Sequence, residues 1–230
     1  MGFSEKTQAY VAGKYYEYLK KGKRENYREI FMLATKHYAM QRGSRMAQRA
    51  LRDGQKLDYA TFCRYGEWIP SREMLNAGEA CAKVEISVEP DYEYHVTYCP
   101  WNRQFVDMGQ EEAGRIYCGC LDEAILRGFN EAVKFRTVQT RYEGAECIFH
   151  IKEAGIRTGE VLEQKPENVR DFGYHTAHTY YAFREIVEAV MGEQGKEAAR
   201  RVLEDFRKDW GEELTEKLEA YSTTNFNVCD

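Results

Sequence analysis

Long apolar runs are missing from this chain. No stretch approaches the roughly 18 to 20 consecutive apolar residues that a membrane-crossing helix needs, and Glu5, Lys6, Gln8 and Lys14 stand where a signal peptide would be apolar. A cytoplasmic protein without a membrane partner is the expectation. Proline is scarce, with 4 among 230 residues, which argues against extended linkers. Charge of one sign is not in excess either: 33 basic and 38 acidic residues leave a net charge of -5, and the basic ones are scattered among acidic neighbours. That balance argues against nucleic-acid binding. Cysteines at the paired spacings of a disulfide scaffold or a zinc site are lacking as well. Seven is an odd number, and a chain of this length folds without staples, so reduced thiols and no structural metal are expected. No residue pattern asks for an organic cofactor.

Aromatic residues are abundant by contrast, with 17 tyrosines and 11 phenylalanines, as an ordered interior requires. The expected organisation is one domain over 1–230: a helical part over 1–70, a sheet-containing part over 80–153 and helices over 174–222. Tyr27, Ile30, Phe31, Ala34 and Tyr38 recur at three- and four-residue spacing, so helices are predicted over 5–20 and 24–40. A separate helix over 44–52 would start at Ser44 as N-cap, and another covers 58–67. The period then changes to two. Val84, Ile86 and Val88 alternate with polar residues, and after a turn at Pro90-Asp91 so do Tyr92, Tyr94, Val96 and Tyr98, ending at Pro100. A helix over 111–128 and strands over 133–141 and 146–152 complete an α+β plan, helices packed on a roughly four-stranded antiparallel sheet. Residues 154–173, with Gly155, Gly159 and Pro166, form the one long loop, placed to cover a pocket.

The segment Tyr117-Cys118-Gly119-Cys120-Leu121-Asp122 carries the most chemistry. Cys118 and Asp122 lie four residues apart, on one face of the predicted helix. Cys120 points elsewhere, and Cys147 alternates in phase with Phe149 and Ile151, as a packing residue does. His175 and His178, three apart at a helix start, can share a face as metal ligands or as a general base. No glutamate in zinc-protease spacing accompanies them. His95 sits on a strand face opposite the apolar one, facing pocket or solvent. Glu67, inside Tyr65-Gly66-Glu67-Trp68, is a carboxylate among bulky aromatics, hence either exposed or functional.

The chain resembles the L-2-amino-thiazoline-4-carboxylic acid hydrolase family. The resemblance runs over about 27–152, through Arg42-Gly43-Ser44-Arg45-Met46-Ala47, Tyr65-Gly66-Glu67-Trp68, Cys99-Pro100, Cys118, Asp122, Gly128-Phe129-Asn130 and Gly144 to Cys147-Ile148-Phe149. Glu131 stands where members often carry proline. A more distant resemblance is to vinyl-reductase-like ligand-binding domains, which imply a non-catalytic binding or sensing role. The family reaction implies hydrolytic opening of a cyclic, amidine-like carbon–nitrogen bond in a small, carboxylate-bearing substrate. In that scheme Cys118 is nucleophile or polarising thiol, Asp122 acid or base, and His175 or His178 a second proton carrier. Arg103, Arg115 and Arg136 are candidates to grip the carboxylate, with Glu67 and His95 also at the site. Arg115, three residues before Cys118, is the expected activator of the thiol. The C-terminal helices are available for homo-oligomer contacts.

Overall fold

The computed structural model describes residues 2–229. Helix α1 (Glu5–Lys21) packs against α2 (Tyr27–Arg52), and the periodic set Ile30, Phe31, Ala34 and Tyr38 is buried as its spacing requires. Short helices α3 (Tyr59–Arg64) and α4 (Arg72–Ala77) follow. Asp58 and Ser71 cap them, accepting from the amides of Thr61 and Met74.

Strands β1 (Ala82–Ser87) and β2 (Tyr92–Tyr98) lead to α5 (Pro100–Asp107) and α6 (Glu111–Phe129), and then to β3 (Phe135–Gln139) and β4 (Cys147–Ile151). The four strands form one antiparallel sheet in the order β1-β2-β4-β3. The α+β class expected from the sequence is therefore the fold. Three long or middling helices close the chain: α7 (Phe172–Met191), α8 (Glu193–Trp210) and α9 (Glu212–Glu219). The first of these lies against α1 and α2, and α8 covers α1 and α7.

Three local expectations are corrected. No break occurs before Ser44, because α2 runs unbroken from residue 27 to 52. Gly43 is a contact point. A Cβ there would meet the Ile125 carbonyl oxygen at 1.9 Å, and one on Gly128 would meet the Met40 carbonyl oxygen at 2.4 Å, so the two glycines let α2 and α6 cross backbone to backbone. Pro100 ends β2 but also opens α5, where its missing amide costs nothing. The phase of β1 is the third. Val84 and Ile86 are about half exposed, while Lys83 and Glu85 turn to the side that carries Tyr94, because Glu85 pairs with Tyr94 in the β1–β2 register. Residues 152–171 form the predicted long loop, pinned where the Lys165 amide donates to Arg64 O (2.9 Å) and the Arg170 amide to Glu67 O (2.7 Å). Among the described residues, no helix is long and apolar enough to cross a membrane.

Candidate active site

The inner face of the sheet, α3, α6 and the long loop enclose a cavity of about 600 Å³. Its floor is apolar and aromatic, because Tyr92, Tyr94 and Val96 alternate to one side of β2 and meet Phe149 and Cys147 across the ladder to β4. Helix α6 contributes Tyr117, Cys118, Leu121 and Asp122, the i, i+1, i+4, i+5 set of one helical face. Loop residues Glu160, Leu162, Glu163 and Gln164 line it from above, as a covering loop would. Arg42 enters from α2.

Cys118 and Asp122 thus come to one cavity. Burial among apolar and aromatic walls pushes the Asp122 carboxyl up to about 6, against the pull of Arg42. None of the described residues hydrogen bonds to this carboxylate, so it is available to a ligand or to water. Arg42 is 7% exposed, and its closest carboxylate is that of Glu67 at 3.9 Å; its Nε finds no hydrogen-bond partner among the described residues. A buried, incompletely satisfied guanidinium beside a raised carboxyl is costly to maintain without a function.

Five of the seven cysteines line the same cavity: Cys63, Cys81, Cys99, Cys118 and Cys147. Burial pushes Cys118 well above the ordinary thiol value, and Cys99, Cys147 and Asp122 add to the rise. Burial likewise raises Cys63 and Cys147 to about 11 and Cys81 to about 12. The cation expected to ionise Cys118 is not supplied by Arg115, whose half-exposed side chain lies 3.8 Å from Glu143 on the surface. The free protein therefore holds a neutral thiol at Cys118. In iodoacetamide labelling at pH 7.5, followed by peptide mass mapping, no cavity thiol should react faster than free cysteine. A Cys118 that reacts ahead of it would restore the thiolate.

The remaining expected site residues lie outside this cavity. Glu67 is fully buried behind its wall, held by Arg45 (Nη2–Oε2 2.8 Å, Nε–Oε1 3.2 Å) and Arg49 (Nη1–Oε1 2.8 Å). Burial alone would raise its carboxyl, but Arg45, with Arg42 and Arg49, brings it down to about 2. His175 donates from Nε2 to the Glu67 carbonyl oxygen at 3.0 Å; His178 donates from Nε2 to Gln41 Oε1 at 2.9 Å and stacks on Phe226. Burial lowers His175 to about 3 and His178 well below its ordinary value, so both are neutral packing residues of the helical core. Arg103 is exposed and paired with Asp107 at 2.9 Å. His95 is on the outer face of the sheet between Glu93 (3.2 Å) and Glu146 (3.0 Å). Among the described residues, no group of three or more His, Cys, Asp or Glu is arranged to hold a metal ion.

Two cavity cations were not singled out from the sequence. Arg42 had a signal, since Arg42, Arg45 and Arg49 fall at helical spacing on a face that is otherwise apolar, which demands a buried carboxylate and a reason. Lys83 had none, because its direction depends on the register of β1. Its ammonium lies over the rings of Tyr94 (4.4 Å) and Tyr92 (4.9 Å) at the cavity rim.

The cavity wall is thus assembled from the stretches that carried the family resemblance: the arginine helix, the Tyr-Gly-Glu-Trp turn, Cys99-Pro100, the Cys118/Asp122 helix and the Cys147–Phe149 strand. No curated protein and no solved structure matches the chain. One family model does, over residues 4–151, close to two thirds of the length, and the chain belongs to the L-2-amino-thiazoline-4-carboxylic acid hydrolase family.

Proposed function

We propose that this protein hydrolyses a carbon–nitrogen bond in a small cyclic amidine that bears a carboxylate, the class for which its family is named. The observation that carries the reading is that Asp122, raised to about 6, and the buried, under-satisfied Arg42 line one cavity. Arg42 grips the substrate carboxylate through its planar fork of donors. Asp122, ionised above pH 6, accepts a proton from water as the water oxygen bonds to the amidine carbon. The same proton then passes to the ring nitrogen as the carbon–nitrogen bond breaks, so water is added across that bond and Asp122 returns to its starting state. Cys118, a neutral thiol beside it, acts as a weak donor to the substrate and not as the attacking group.

Arg42 gives the direct test of substrate orientation. Arg42→Met should raise KM for 2-amino-thiazoline-4-carboxylate by about tenfold or more, the worth of a charge-assisted hydrogen bond. Binding of 2-aminothiazoline, which lacks the carboxylate, should be unaltered when measured by calorimetry. Equal losses for both compounds would remove Arg42 from the carboxylate role.

A binding-only role is the second reading, favoured by one observation: burial raises all five cavity thiols, so no thiolate nucleophile is in place. Mass-spectrometric detection of a ring-opened product one water heavier than the substrate would overturn it.

A further inference from the structure

The cavity is much larger than the bare ring that the family name describes. Even at a liquid water's share of about 30 Å³ per heavy atom, the nine non-hydrogen atoms of aminothiazoline carboxylate fill less than half of its 600 Å³. The lining is largely aromatic and apolar. Phe62, Tyr59, Tyr92, Tyr94 and Phe149 all belong to it, and they form a continuous ladder whose successive ring centroids are 5.0 to 5.8 Å apart. Trp68 and Trp101, T-shaped at 5.1 Å, add a further aromatic wall. Arg42 and Asp122 line the cavity from α2 and α6, Lys83 and Glu85 from β1, where the Lys83 ammonium lies over the rings of Tyr92 and Tyr94, and Glu160 and Glu163 from the covering loop.

We infer that the substrate is an aryl-substituted cyclic amidine, its carboxylate and reacting carbon at Arg42 and Asp122 and its aromatic substituent laid along the ladder. This rests on the hydrolytic reading above for the identity of the polar half. The aryl group contributes binding by leaving water and by stacking. Leu162, on the covering loop, bounds the space it enters.

The test compares 2-amino-thiazoline-4-carboxylate with its N-benzyl derivative on the same protein, by calorimetric Kd and by turnover. The benzyl compound should bind at least about tenfold more tightly, the effect of burying one phenyl ring. Leu162→Trp, which fills that space from a loop position, should shrink that ratio to near one. Equal or weaker binding of the benzyl compound to the wild-type protein would overturn the inference, even if the parent compound is turned over. Aryl-dependent binding with no turnover of either compound would overturn the hydrolytic reading instead, and the aryl preference would stand.

Discussion

Asp122→Asn should reduce turnover by about a thousandfold, within the range that a positioned acid or base supplies, and should at the same time make the protein more stable. The stability half follows from the raised carboxyl. A group whose folded value (about 6) lies above its ordinary one (3.8) is favoured in its protonated form. Its stabilising contribution is full below pH 3.8, declines as pH rises through 6, and is gone above it. Asparagine keeps the shape without the charge. At pH 7.5 the variant should therefore gain up to about 3 kcal/mol in chemical denaturation, with the difference vanishing near pH 4. The wild-type kcat/KM should rise with pH to a plateau above about 6, as the base ionises. A variant that loses stability at pH 7.5, or keeps wild-type turnover, would show that Asp122 is held for packing and not for chemistry.

Glu67→Gln should have the opposite character, costing about 3–5 kcal/mol because it leaves buried guanidinium groups facing a neutral amide. Arg45 loses the carboxylate that accepts two of its bonds, Arg49 loses the one that accepts one, and Arg42 loses the negative charge 3.9 Å away. For a chain of this length that is a fall of about 10 °C or more in Tm. The pH dependence has the other sign. A carboxyl lowered from 4.5 to about 2 contributes stability that is full above 4.5 and is lost as pH falls through 2. The gap between variant and wild type in urea denaturation should therefore be widest at neutral pH and narrow toward pH 2. His175 and His178, lowered by burial, contribute stability that is full above 6.5 and declines in acid, and loss of the Glu67 charge, which pulls His175 upward, lowers His175 further in the variant. A variant within 1 kcal/mol of wild type would mean that the arginines find another counter-charge. Together the two substitutions separate the carboxylate that serves the cavity from the one that supports its wall.

The chemistry-bearing helix was legible because both of its residues depend on one local period. Cys118 and Asp122 lie four apart, and α6 places them on one face as any helix would. The strands β2 and β4 were legible for the same reason at period two. Long-range placement was not. His175 and His178 looked like a pair of proton carriers, but the packing of α7 against α1 and α2 buries both rings and uses their Nε2 atoms on Glu67 and Gln41. Arg103 and Arg115, apt for a carboxylate by residue type, sit on outward faces of α5 and α6 and pair at the surface. Ser44 read as the N-cap of a separate helix by residue type, but α2 runs through it, and Gly43 before it lets α2 and α6 approach backbone to backbone.

What the sequence determined by itself was the helices α1 and α6, the strands β2 and β4, the α+β class and the Cys118–Asp122 face, because each is written in a periodicity that a short segment enforces alone. The family is likewise written in short stretches along the chain. Only the tertiary structure decided which charges meet. Three arginines on one helix require a carboxylate but do not say which one, and the fold assigns Glu67 to hold Arg45 and Arg49 while Arg42 is left facing Asp122 and the cavity. It also decided the ionisation of Cys118. Whether a thiol is a nucleophile depends on the charge and water around it, and here burial among other thiols and a carboxyl keeps its proton in place.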